Sequence, residues 1–400
     1  MGNGHVVESA GGAEKVLCNM ANELTLRGHQ VTAMCNDIKE GLPFYPLMKE
    51  VNFVNLDGSG SKKKKQYPQI KKIVRELTRP LRKTVLYSLF PDPVERQRQY
   101  EFCSLIKGVI RCIQPDVVIS YFLDDHDCIV KAIGHDRPLL VMHHGNPDTG
   151  LLNVARNKLD SLRHCDCLQL LLPSFAKTVQ TALPWVRTLT IPNAVAHVEE
   201  RNMAHPGENR DEHVITMLGR LNKDKQQHRL IRSFSYLAKE YPQWKVHVYG
   251  GNAFPLDYED YLKSLIHELK LENQVFLMGT TDKPSDALRK SDIFAFPTAF
   301  EGFPLALTEA MAVGLPCVGL KTTSAVNELI VDGVNGLLAE NSPEDFAAKL
   351  KILMDDPNLR VNMGRAGHEM MKQYAPEKIW DQWENLITEV VQQYRQRKAA

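Results

Sequence analysis

Residues 296–314 read FPTAFEGFPLALTEAMAVG. The pattern is a buried strand ending at Phe296, a short loop carrying Glu301, Gly302 and Phe303, and an apolar helix. Pro304 suits the first helical turn, where its missing N–H costs little, and Gly314 suits the helix end. A loop feeding a helix N-terminus presents free backbone N–H groups and a positive dipole end, a ready site for a diphosphate. Gly302 lets the backbone come close to a ligand. Two carboxylates bracket this cradle: Glu301 before the helix and Glu309 five residues beyond Pro304. They cannot bind phosphate, but they can accept hydrogen bonds from sugar hydroxyls on either side of one, a hexose at one end and a ribose at the other. Each also has a plainer reading: an acid favoured by the dipole at a helix start, and a solvated helix face.

Upstream, residues 218–225 read LGRLNKDK directly after an apolar run at 214–218. Arg220 and Lys225 then occupy a strand-to-helix loop at the C-terminal edge of a sheet, where open α/β folds bind ligands. Two cations there can neutralise a departing diphosphate, although a solvated basic turn would look the same in isolation. Further apolar runs lie at 30–35, 116–120, 139–142, 168–172 and 188–191, and again at 245–249, 275–278, 293–296 and 317–319. Helical patterns separate most of them, which predicts βαβ units and parallel sheets. The polar stretch 196–213, AHVEERNMAHPGENRDEH, reads as a linker, and 376–397 as an amphipathic helix with Ile379, Trp380, Trp383, Ile387 and Val390 near helical spacing. The expected division is a first domain over 1–195, a linker over 196–213, a second domain over 214–375 and a terminal helix over 376–400.

A chain of 400 residues with 43% hydrophobic and 24% charged residues can fill two cores. Its net charge of +1 gives no case for nucleic acid as a partner. No apolar run approaches the ~20 residues needed to span a bilayer. Met1 to Gly12 lacks the basic and apolar regions of a signal peptide. Eight scattered cysteines suggest reduced thiols in a cytosol, and His164 to Cys167 has no second pair at zinc-site spacing, so no metal is expected. One segment stands apart: between Gly58 and Phe90 lie ten basic residues against one acid, Glu76. Ile70, Ile73, Val74, Leu77 and Leu81 recur there at helical spacing, with Pro80 as a kink. Lys62 to Lys83 therefore reads as a basic amphipathic helix for a membrane surface, or else as a solvated basic loop.

GRLNKDK (219–225) and EGFPLALTE (301–309), continued by EAMAVGLPCV (309–318), Glu328 and DGVNGLL (332–338), resemble the retaining glycosyltransferases of family 4, the group 1 transferases of GT-B fold. The first half fits more loosely, through Gly11-Gly12-Ala13-Glu14, PDVVIS (115–120), MHHGNP (142–147), LPSFAK (172–177) and IPNAV (191–195). The resemblance implies an α/β protein of two Rossmann-like domains facing each other across a central cleft, with the C-terminal helix crossing back to the first. It implies a nucleotide-sugar donor, UDP-hexose or UDP-N-acetylhexosamine, and a glycan or lipid-linked acceptor in cell-surface polysaccharide or lipopolysaccharide synthesis. It implies no cofactor beyond the UDP-sugar, no metal, and a cytoplasmic location at the inner face of the membrane. By the same resemblance Arg220, Lys225, Glu301 and His144 are catalytic, with His144 pointing into the cleft. Gly12, Gly219, Gly279, Thr280, Gly302, Phe303, Pro304, Leu305 and Glu309 bind the donor.

There are departures from the family pattern. Gln226 and Ala194 stand where the family favours glycine, and Thr323-Ser324 where a glycine pair is common. Only Met1 to Ser9 precede the glycine loop, barely enough for a first strand. Residues 123–127, LDDHD, superficially resemble the metal-binding acidic motif of the other major transferase fold; they read as a polar strand end. A dehydrogenase of similar architecture would show GxGxxG after a strand, which is missing here. A nucleotide-sugar epimerase stays open as the alternative.

Overall fold

Among the described residues twelve parallel strands form three sheets; the ten apolar runs supply ten of them, and 52–55 and 336–339 add two. The structure, a computed structural model, describes residues 6–7, 11–57, 69–79, 92–251 and 257–400. The chain divides into two units, one of Met1–Ile191 with Trp380–Ala400, the other of Pro192–Ile379.

The first unit holds β1 (Thr32–Cys35) and β2 (Asn52–Asn55), which pair with each other, and a four-stranded sheet of β3 (Val118–Ser120), β4 (Leu139–Met142), β5 (Cys167–Leu170) and β6 (Thr188–Thr190) in sequence order. Its helices are α1 (Gly12–Leu26), α2 (Gln69–Thr78), α3 (Pro93–Ile113), α4 (Leu123–Ile133), α5 (Arg156–Asp160) and α6 (Pro173–Ala182). β4 and β5 are buried at every position, as strands covered on both faces must be. Ahead of α1, Val7 forms an isolated antiparallel bridge to Pro43; no first strand appears among the described residues. Residues 123–127 are not a strand end. They form the first turn of α4, where Asp124 and Asp125 suit the positive end of the dipole.

The second unit runs β7 (His213–Leu218), α7 (Gln227–Ser235), β8 (Trp244–Tyr249), α8 (Tyr258–Glu268), β9 (Val275–Gly279), α9 (Pro284–Arg289), β10 (Ile293–Phe296), α10 (Leu305–Ala312), β11 (Cys317–Leu320), α11 (Val326–Leu329), β12 (Gly336–Ala339), α12 (Pro343–Asp355) and α13 (Pro357–Met371). Its six strands lie in the order β12-β11-β10-β7-β8-β9. The chain first builds outward from β7 to β9, then returns to the other side of β7 and builds outward again. A large core cluster of this unit includes Phe234, Trp244, Val246, Leu262, Ile293 and Phe346.

Residues 196–213 are packed into this second unit, not strung between two domains. Ala204 N–H donates to Val313 O at 2.7 Å, and Pro206 O accepts from the buried Arg360 at 2.5 Å. A Cβ at Gly207 would lie 2.4 Å from Val361. The last helix, α14 (Pro376–Ala399), belongs to the first unit from Trp380 onward. There Arg27 binds Asp381 and Glu384 at 2.7 and 2.8 Å, and Arg187 binds Glu389 at 2.7 Å.

Candidate active site

The order of the second sheet selects one place on it. β7 and β10 are neighbours from which the chain winds off in opposite directions, and ligands bind outside the carboxyl ends of strands at such a switch point. The loop leaving β7 carries Gly219, Arg220 and Lys225. The loop leaving β10 carries Glu301, Gly302 and Phe303.

Backbone and hydroxyl contacts lock these loops together. Ala299 N–H donates to Asp224 O at 2.8 Å. Thr298 Oγ1 also donates to Asp224 O, at 3.3 Å. From a third loop the buried Thr323 hydroxyl donates to Thr298 O at 2.6 Å. The Thr323-Ser324 departure therefore has a structural use. Just beyond it Ala325 takes φ +71°, a conformation that favours glycine.

The lock brings Lys225 to Glu301. Lys225 Nζ donates to Glu301 Oε1, with the carboxylate side chain only 9% exposed. The ammonium also lies 5.6 Å from the centre of the Phe296 ring. The two residues are 76 apart in sequence, and their spacing alone gives no hint of the pair. Arg220 is exposed.

Gln226 adopts φ 55°, ψ 41°, the left-handed region that explains a preference for glycine here. Its amide oxygen accepts from Arg229 Nε at 2.7 Å. The next residue, Gln227, is fully buried and donates to Arg220 O at 2.9 Å, tying down the loop.

α10 begins one residue later than the proline suggests, with Pro304 as its N-cap and no side chain capping it. Thr308 N–H reaches Pro304 O at 3.0 Å. Among the described residues no acceptor meets the N–H groups of Leu305, Ala306 and Leu307, so the helix offers them with its positive dipole end. Gly314 ends the helix with φ +82°. The Phe303 ring is buried edge-on against Tyr374, 5.5 Å between centroids. Glu309 is half-buried in the second turn of α10.

Gly250-Gly251 is the feature the sequence reading missed. Gly219 N–H donates to Tyr249 O at 3.0 Å, and Leu221 N–H to Gly251 O at 2.9 Å. A Cβ on Gly250, which has φ +156°, would lie 2.0 Å from Gly219 O. A Tyr-Gly-Gly run closing a strand was the available signal. Gly279 ends β9 with φ +69° and open space around it, and its carbonyl accepts from Gly250 N–H at 2.8 Å. Thr280 is exposed beside it, within 2.9 Å of where a Gly251 Cβ would be.

Gly12 and His144 belong to the first unit. Gly12 opens α1, and the Glu14 carboxylate folds back against the preceding Gly11, where a Cβ would require that flexible side chain to move. His144 lies two residues beyond β4 and stacks on Tyr121 at 5.3 Å. Its Nε2 is buried without a hydrogen-bond partner, and burial pushes the imidazole down to about 4, so it is neutral at pH 7. Among the described residues no group of three or more His, Cys, Asp or Glu could hold a metal. Asp127, buried in α4, is paired with Lys131 at 2.6 Å.

Residues 198–370 match the model of the family described as glycosyl transferases group 1. The chain is 26% identical over 383 residues to an uncharacterised glycosyltransferase of Haemophilus influenzae, covering 95% of this chain and 97% of that one. It is 29% identical over 180 residues to the capsular polysaccharide biosynthesis glycosyltransferase CapM of Staphylococcus aureus, 44% of this chain and 46% of CapM. Other curated relatives are likewise matched over a minority of their own length, 21% and 27% in two cases. Among solved structures, sucrose-phosphate synthase from Thermosynechococcus elongatus superposes with a TM-score of 0.72 at 16% identity, covering 99% of this chain and 96% of that one. That likeness shows the fold, the two Rossmann-like units of GT-B proteins.

Proposed function

We propose that this group 1 glycosyltransferase moves a hexose or N-acetylhexosamine from a UDP-sugar to a glycan or lipid-linked glycan, with retention and without a divalent metal. The observation that carries the reading is the Lys225–Glu301 pair beside the uncapped start of α10. The likeness to CapM supports a setting in cell-surface polysaccharide synthesis. No cofactor beyond the donor is required, and a cytoplasmic site of action fits a nucleotide-sugar donor. An epimerase is not favoured by the family match.

In this reading the diphosphate rests on the N–H groups of Leu305, Ala306 and Leu307. The acceptor oxygen bonds to the anomeric carbon as the bond to the diphosphate oxygen breaks, and the acceptor proton leaves with the diphosphate. Lys225 and Arg220 neutralise the charge that develops there. Glu301 steadies Lys225 and accepts hydrogen bonds from the transferred sugar. Glu309 holds the ribose. His144, being neutral, meets a sugar hydroxyl as a hydrogen-bonding group and not as a cation.

A panel of UDP-glucose, UDP-galactose and their N-acetylamino forms, monitored by nucleotide release, tests this. UDP release from one or two donors, unchanged in EDTA, is expected. A new UDP-sugar without UDP release would favour an epimerase. Loss of turnover in EDTA restored by Mn²⁺ would overturn the metal-free mechanism and return Asp125 and Asp127 as candidate ligands.

A further inference from the structure

Arg220 is exposed, and among the described residues no hydrogen bond or ion pair holds its guanidinium. What fixes its place is the backbone. The peptide unit joining Arg220 to Leu221 is gripped at both ends: its N–H donates to Gly251 O at 2.9 Å, and its carbonyl accepts from Gln227 Nε2 at 2.9 Å. The same nitrogen lies 3.5 Å from Gly219 O. Two carbonyls can face only the NH₂ end of an amide, so they fix which way round the Gln227 side chain sits. Gln227 is itself anchored, as the first residue of α7. There the buried Tyr258 hydroxyl, from α8, accepts from His228 N–H at 3.5 Å and lies 2.8 Å from His228 Nδ1.

Packing alone does not account for an amide at this position. Gln227 is fully buried, and the buried side chains that follow it on α7 include Leu230, Ile231 and Phe234. Methionine has a similar length and no amide to desolvate. The amide instead leaves its Oε1 buried with no hydrogen-bond partner among the described residues, which costs stability. A local rule broken in this way, beside a ligand-facing loop, marks a functional constraint. We propose that Gln227 is a positioning residue for Arg220: by holding the Arg220 carbonyl it sets where that guanidinium meets the diphosphate of the donor. The inference rests on the reading of this loop as part of a diphosphate site, and goes beyond it by assigning a residue that acts only through Arg220.

The test is a double-mutant cycle on the full chain, read by calorimetric titration with UDP and with uridine. The wild type is expected to prefer UDP at least about tenfold. Gln227→Met and Arg220→Ala should each cut that preference at least about threefold, the scale of one hydrogen bond lost or put out of place. Added to Arg220→Ala, Gln227→Met should change the preference by less than about twofold, because its effect runs through the missing guanidinium. Uridine affinity and the unfolding midpoint should stay at their wild-type values, a split that a merely structural role would not give. Should Gln227→Met fail to fold, Gln227→Leu carries the same cycle. Equal losses from Gln227→Met with and without Arg220, or a matching loss of uridine affinity, would make Gln227 a structural residue and overturn the proposal. A preference kept by Gln227→Met but lost in Arg220→Ala would also overturn it, and would leave the diphosphate reading standing. A wild type that binds UDP no more tightly than uridine would overturn both.

Discussion

At position 225 an ammonium 22% exposed meets a carboxylate 9% exposed, so neither partner is well solvated once the other is removed. Charge-assisted hydrogen bonds to a leaving diphosphate are worth about 1.5–3 kcal/mol each, roughly a decade or more in rate. Lys225→Ala and Arg220→Ala should therefore each lower kcat about tenfold or more. Unchanged kcat in both would reduce the loop to a basic turn. The two glutamates should fail differently. Glu301→Gln keeps shape but loses the charge that pairs with Lys225 and that the proposed reading sets against the anomeric carbon, so kcat should fall most. Glu309→Gln removes binding shared by ground and transition states, so the donor KM should rise with kcat less affected. A larger KM effect in Glu301→Gln would reverse the assignment. Residue types at these positions were legible because strand, loop and helix-start signals are local. Their pairing was not, because a contact between two residues 76 apart depends on β7 and β10 becoming neighbours in the sheet.

At the scale of elements, the site rests on glycines that do different jobs. Gly250 has a backbone carbonyl where its Cβ would go, at 2.0 Å, whereas Gly333 has φ +78° and open space. Gly250→Ala should push the Gly219 loop off β8 and raise the donor KM at least about tenfold, the scale of one lost charge-assisted contact. Gly333→Ala should cost only the left-handed strain of about 1–2 kcal/mol, read as a lower unfolding midpoint with kinetics unchanged. Equal kinetic effects would show that the glycine packing does not position the loop. Elements also mark where sequence pattern misleads. The polarity of 196–213 suggested a tether, but its backbone carbonyls and small residues serve a neighbouring helix, a use that composition does not reveal. The acids of 123–127 looked like a strand end because a helix start and a strand end both tolerate polar residues. Periodicity did find α2, but not that Lys71 and Arg75 tie it to α3; Lys62 to Lys65, Arg82 and Lys83 lie outside the described residues.

Across the whole molecule, the parallel α/β units were readable from alternating runs, while strand order was not, since the return from β9 to β10 on the far side of β7 leaves no local signature. The first unit carries a pH liability of its own. Burial pushes His126, His143 and His144 each down to about 4, and each has a buried ring nitrogen without a partner. Their unfolded value is about 6.5, so between the two values the unfolded chain binds more protons. Stability contributed by these groups is thus present above about pH 6.5 and is lost as pH falls towards 4, at about 1.4 kcal/mol per pH unit for each histidine. Denaturant midpoints should fall from pH 7 to pH 5, and His126→Gln should flatten the slope; a pH-independent midpoint would contradict the burial. The central claim concerns the other unit, that the start of α10 with Arg220 and Lys225 forms a diphosphate cradle. Calorimetric titration with UDP and with uridine, in EDTA, tests it without knowledge of sugar or acceptor. UDP should bind at least about tenfold tighter than uridine, and Arg220→Ala with Lys225→Ala should erase that difference. Equal binding of the two ligands by the wild type, or full retention of UDP affinity by the double variant, would contradict the account.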